Sequence, residues 1–108
     1  YKTVDEAMAY TRENYHGVKT ANPGKQIIIT EAGWTTASNG RGIPPENVGE
    51  MHQKQYLEEL IAWADREQIV VYVFEAFDEN WKGSDHPLEP EKHWGIYRAN
   101  RLPKLAAA

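Results

Sequence analysis

Three carboxylates and one ammonium stand where two apolar runs give out. Glu31 follows Ile27-Ile28-Ile29-Thr30 at once and is itself followed by Gly33 and Trp34, while Glu75, Glu79 and Lys82 come at and after the end of Ile69-Val70-Val71-Tyr72-Val73-Phe74. The carboxyl ends of buried parallel strands are where α/β folds place ligands. Adjacent parallel strands lie ~4.8 Å apart, so pairing of the two runs brings Glu31 toward Glu75 or Glu79. Two carboxylates flanking one space can serve as nucleophile or base and as acid in glycoside cleavage, with a gap of ~5 Å for retention. Close carboxylates also push their protonation apart, which yields an acid and a base from one residue type. For one isolated Glu an ion pair or a turn cap is the commoner explanation; a second stretch of the same kind shifts the balance toward chemistry.

Trp34, Trp81 and Trp94 each fall just beyond a run or in the loop after it. Their flat faces could stack on pyranose rings or roof the end of the sheet as core, and the sequence leaves both readings open. Other chemistries have less support. His16, His52, His86 and His93 show no HExxH spacing and there is no cysteine, so neither a metal nor a cofactor is expected. Asp85, Glu89, Glu91 and His93 read as a solvated loop before they read as a cation site. Ser38 and Ser84 lack a G-x-S-x-G elbow, and no glycine-rich phosphate cradle occurs.

Stepping outward from these residues, Thr3-Val4-Asp5-Glu6 has the form of a capping box. It starts a helix expected over about residues 3–20, with Val4, Ala7, Met8, Tyr15 and Val18 on one face. Asn22-Pro23-Gly24 breaks it and delivers the chain to the first strand. Residues 32–43 form a polar loop longer than a plain connector needs. Pro44-Pro45-Glu46 suits a helix start, and that helix is expected to reach about Asp65, with Leu57, Leu60, Ile61 and Ala64 inward and Glu50, Lys54, Glu58 and Glu59 in solvent. The second strand follows, then a loop from Ala76 to Trp94. Unbroken β-branched runs predict strands buried on both faces, with Glu75 still carried on the second, and the order helix, strand, helix, strand predicts a parallel βαβ unit.

The totals set limits on this picture. At 108 residues the chain makes one small domain, and its formal charge of −4 argues against nucleic acid or an anionic membrane as partner. No apolar run reaches the ~20 residues of a membrane helix. Both ends look cut, and Leu105-Ala106-Ala107-Ala108 after Lys104 reads as a vector-derived tail to be set aside.

Taken together, Ile29-Thr30-Glu31-Ala32-Gly33-Trp34, Pro45-Glu46-Asn47, Phe74-Glu75-Ala76-Phe77-Asp78-Glu79-Asn80-Trp81-Lys82 and His93-Trp94-Gly95 resemble the C-terminal part of the family 17 glycoside hydrolases. These are endo-β-1,3-glucanases and related glucan transferases acting largely on extracellular or cell-wall glucans. The resemblance covers nearly all of residues 1–104. It implies a (β/α)8 barrel, of which this chain matches about a quarter, the seventh and eighth strands with the helices before each. It implies Glu31 as the catalytic nucleophile, Glu79 and Lys82 as residues lining the same cleft, and Glu75, Trp34 and Trp81 as site-wall positions contacting a β-glucan. The family's acid/base sits in an Asn-Glu motif after its fourth strand, and no Asn-Glu dipeptide occurs in this sequence.

Two consequences are expected. Loss of the proton donor forfeits roughly 10²–10⁴ in rate, so activity of this chain in isolation is weak or absent. Two strands also cannot close a barrel, which favours a homo-oligomer through sheet edges; four chains would supply eight strands, and a dimer is the other possibility. A glycosidase fragment and a non-catalytic, self-assembling or glucan-binding remnant both stay in play.

Overall fold

The computed structural model describes residues 3–108. Thr3 holds an extended backbone and its Oγ1 accepts the Glu6 N–H at 3.1 Å, satisfying one free donor of the first turn. Helix α1 runs Val4–Ala21. It buries Val4, Ala7 and Met8, and Tyr15 meets Trp63 edge-on at 5.5 Å. Val18, expected on the same face, is 48% exposed; it lies along the cleft beside the first strand instead of against the second helix.

Strand β1 spans Ile28–Ala32 and strand β2 Val70–Val73, paired in parallel as the βαβ order requires. Helix α2, Glu50–Glu67, joins them. It starts later than the prolines suggest: Pro45–Asn47 form a separate 3-10 turn, and Gly49, at φ 135°, caps α2. Its core stripe is Gln53, Tyr56, Leu57, Leu60, Trp63 and Ala64. Ile61, expected inward, is 55% exposed, because the stripe follows 53, 56, 57, 60, 63 and 64 and leaves 61 at its edge, about 100° round from Leu60. Glu50 is not a free solvent charge either: it pairs with Arg98 and accepts the Leu105 N–H. Residues 105–107, set aside above, form a 3-10 turn whose Ala106 packs against the core.

The strands are not buried on both faces. Ile29, Val71 and Val73 pack on the helices, while Ile28, Val70 and Tyr72 are 44%, 37% and 61% exposed. Both helices cover the same side of the sheet, and among the described residues no element covers the other.

The register carries one irregularity. Ile29 pairs with Val71 and Ala32 with Val73, so three steps on β1 answer two on β2 and one extra residue is taken up at Thr30-Glu31. Strict alternation would turn Glu31 to the same side as Ile29. With the bulge, Thr30 and Glu31 are both exposed, and the carboxylate is carried out of the core.

Candidate active site at the carboxyl ends of the strands

A cleft of about 910 Å³ opens beside β1 and beyond both strands. Glu31, Lys82, Arg41, Glu91, Phe74 and Trp94 are among the residues lining it, with α1 forming the wall along β1. Glu31 and Lys82 therefore share one space, as the sequence predicts. Glu75 and Glu79 join it through Lys82. The Lys82 ammonium lies 3.2 Å from Glu79 Oε2 and 4.0 Å from Glu75 Oε2, and it sits 4.6 Å from the centre of the Phe74 ring.

Strand β2 ends at Val73, so Glu75 is not carried on it as expected. The Phe74–Glu75 peptide is cis. The backbone of Glu75 is fixed on both sides by the 94–96 segment: its N–H donates to Trp94 O at 3.1 Å, and Ile96 N–H donates to its carbonyl at 3.0 Å. The side chain is largely buried, and its Oε2 has no hydrogen-bond partner among the described residues. Removal from water, then the hydrogen bond and negative charge of Glu79, push the Glu75 carboxyl up to about 7, with Asp78 adding and Lys82 opposing. The hydrogen bond from Glu75, followed by that of Lys82, holds Glu79 below the ordinary carboxylate range. Burial works against the Lys82 charge, but Glu79, Glu75 and Glu91 outweigh it and raise the ammonium above its usual value. Below about pH 7 the favoured arrangement is a protonated Glu75, an ionised Glu79 and a charged Lys82, which avoids two adjacent carboxylate charges.

The tryptophans divide. Trp34 is 3% exposed, stacks on Tyr56 at 5.4 Å, and donates its indole N–H to Asn47 O at 2.9 Å. It borders the cleft as a packed support, with no free stacking face. Trp94 also borders the cleft and meets Phe74 edge-on at 6.0 Å. Trp81 is 77% exposed and stands outside the cleft lining.

Several supporting residues have only faint sequence signals. Gln53, fully buried on α2, donates its amide to Trp34 O at 3.0 Å and Gly95 O at 2.9 Å, so one side chain ties the start of the loop after β1 to the end of the loop after β2. Its signal is a polar residue inside an apolar helical stripe. Lys92 donates to Asn80 O and Lys82 O at 3.0 and 2.8 Å, clamping the segment that carries Lys82. Lys104, 3% exposed, pairs with Asp78 at 2.7 Å and donates to Thr36 Oγ1 at 2.9 Å; burial lowers its pKa and Asp78 opposes the fall. Both lysines lack any pattern that separates them from surface lysines. Gly33 is required by close approach, since a Cβ there would lie 1.7 Å from Phe74 O. Among the described residues, no His, Cys, Asp and Glu side chains gather as a metal site, and no helix is long and apolar enough to cross a membrane.

The fold is a parallel strand pair with helices on one side and its acidic and basic side chains gathered past the strand ends, and its solved neighbours are glycoside hydrolases of the barrel type. The chain belongs to the BtgE/BtgC glycoside hydrolase domain family, whose model matches residues 1–95, in agreement with the resemblance to family 17. It is 33% identical over 89 residues to a glucan 1,3-β-glucosidase of Arthroderma benhamiae, a match covering 75% of this chain and 27% of that one. The crystal structure of a family 17 β-1,3-glucanosyltransferase from Rhizomucor miehei shares 26% identity and a TM-score of 0.81, over 98% of this chain and 37% of that chain. An active-site mutant of the Rhizomucor enzyme in complex with laminaritriose gives 25% identity and a TM-score of 0.82, with the same coverage of 98% and 37%. The chain thus spans about a quarter of the curated relative's length.

Proposed function

We propose that this chain carries the nucleophile side of a retaining site for β-1,3-glucan, as the C-terminal quarter of a (β/α)8 barrel. Glu31 is the nucleophile, its carboxylate attacking the anomeric carbon to form a glycosyl ester that water or a second sugar then resolves. Lys82 and Glu79 line the same cleft and set its charge, and Glu75 supports them. Trp34 is the buried backing of the wall, and Trp81 is an outlying surface against which a sugar ring can stack. The observation that carries this reading is the β1 bulge, which turns Glu31 out of the core and into the cleft that Lys82 shares.

With no Asn-Glu donor in the sequence, departure of the leaving oxygen is unassisted, and the chain alone is weakly active or inactive. Its sheet presents Ile28, Val70 and Tyr72 to solvent, which favours a second reading: a scaffold completed by further strands, either of a longer barrel or of other copies of this chain in a dimer or tetramer. Reducing-sugar release from laminarin by the chain and by Glu31→Gln, with mass in solution measured on the same samples, tests both. Activity abolished by Glu31→Gln supports the nucleophile, measurable activity that survives Glu31→Gln overturns it, and no activity in either is the result the missing proton donor predicts. A monodisperse monomer removes the self-assembly reading.

A further inference from the structure

Glu75 has a buried carboxyl oxygen with no hydrogen-bond partner among the described residues. That oxygen lies 4.0 Å from Lys82 Nζ, a cation already bound to Glu79 at 3.2 Å. If both carboxylates were ionised, one cation would face two anions in a space closed below by the Phe74 ring, and the buried oxygen would have lost its water with nothing in return. A proton on Glu75 removes the conflict: the carboxyl becomes a donor, Glu79 is the acceptor beside it, and the ammonium keeps one strong partner. The charged groups that bear on the cluster are Asp78 and Glu79 from the loop after β2, Lys82 itself and Glu91. Glu31 lines the cleft that Lys82 also lines.

We propose that Glu75 is a positioning residue for Lys82, holding a proton between itself and Glu79 and thereby keeping the ammonium on Glu79 and over Phe74 at the wall of the cleft. Its backbone suits the role, being hydrogen-bonded on both sides to residues 94–96. When the proton leaves, Glu75 becomes a second anion competing for the same ammonium, and Lys82 shifts between the two carboxylates. Lys82, which lines the cleft together with Glu31, then changes its partner near neutral pH. The proposal rests on the glucan-site reading only for its consequence in catalysis; the unpartnered Glu75 oxygen and the Lys82 distances that carry it are independent of that reading.

The test is NMR of the intact chain. The Lys82 side-chain Cε and Nζ signals are followed from pH 5 to 9 in the unaltered protein, in Glu75→Gln and in Glu31→Gln. The expected result is a step in the Lys82 signals near pH 7 that disappears in Glu75→Gln and persists in Glu31→Gln. A step retained in Glu75→Gln, or no step in the unaltered chain, overturns the proposal. Should Glu75→Gln fail to fold, the Glu75 carboxyl carbon of the unaltered chain is titrated directly: a midpoint near 7 upholds the proposal and one near 4.5 overturns it. None of these readings depends on glucan turnover. Loss of the glucan reading, seen as laminarin cleavage unaffected by Glu31→Gln, is therefore a separate result.

Discussion

Replacing Lys104 with Met is expected to be among the most damaging single changes in the chain. The ammonium is 3% exposed and Asp78 9%, so neither charge recovers its hydration if the other is removed. Asp78 Oδ1 also accepts the Gly95 N–H at 2.9 Å, and Lys104 bonds Thr36 Oγ1 and, at 3.3 Å, His93 O. Lys104→Met leaves the Asp78 carboxylate buried without its cation, with the Gly95 N–H still donating to it, and removes one donor each from Thr36 Oγ1 and His93 O. Breaking a buried pair in this way costs about 3–5 kcal/mol, against a total for a domain of this size of about 5–15 kcal/mol. With a urea slope of about 2 kcal/mol/M, the midpoint should fall by roughly 2 M. The assay is urea unfolding followed by tryptophan fluorescence. Adding Asp78→Asn to Lys104→Met removes the stranded charge and should recover about 1–3 kcal/mol of the loss. A Lys104→Met protein within about 1 kcal/mol of the unaltered chain, or a double variant less stable than Lys104→Met alone, would refute the argument that this pair is held by burial.

Four further outcomes follow from the geometry. Glu75 binds its proton up to about pH 7 when folded and to about 4.5 when unfolded, so between those values the native state holds the extra proton and stability falls as pH rises. Full strength would be about 3 kcal/mol, and solvent screening of a side chain 16% exposed reduces it to about 1–2 kcal/mol; urea midpoints at pH 5 and 8 should show the loss, and Glu75→Gln should flatten it. Gly33→Ala forces a methyl to within 1.7 Å of a backbone carbonyl, a collision only backbone movement can relieve, and is expected to cost at least about 2 kcal/mol in the same assay. Leu60→Ala empties a fully buried site on α2 and should cost about 2–5 kcal/mol by thermal or urea unfolding. Gln53→Leu keeps the volume but frees two buried carbonyls, for an expected loss of about 1–3 kcal/mol and faster amide exchange in residues 34–36 and 94–96.

The βαβ unit could be read from the sequence because its signals are local: a capping threonine, an apolar helical stripe, and two β-branched runs interrupted by turns. That order gathers Glu31 and the residues after the second strand at one end of the sheet, and the family resemblance adds Lys82 as a residue of the cleft. What could not be read depends on choices that only the folded chain makes. Continuous apolar runs describe strands buried on both faces, but Ile28 and Tyr72 lie open because both helices cover one side. Trp34 and Trp81 have the same composition and comparable positions after strands, yet one is packed on Tyr56 and the other projects into solvent. Val18 and Ile61 fit an ideal helical period but lie where no neighbour meets them. Lys92 and Lys104 hold loops together through backbone carbonyls and Asp78, partners that have no sequence pattern. Glu50 and Leu105 meet across half the chain's length, a pairing that the period of neither segment contains.

The extra residue in β1 also makes the position of Glu31 a matter of parity. Between Ile29, facing the core, and Ala32, facing it again, the strand contains two residues where a regular pairing has one, and both lie on the open side. Removing either restores simple alternation. Deleting Thr30 leaves Glu31 as the single outward residue, with Ala32 still opposite Val73 and Gly33 still against Phe74 O. An insertion before Glu31 turns the carboxylate toward the apolar side. Length changes here are therefore of a different order from those in residues 39–42 or 83–89, which lie beyond the bonds made by Gln53 and Lys92. Those outer stretches can lengthen or shorten while the carboxylate keeps its address, which makes them the places where this scaffold tolerates changes of length.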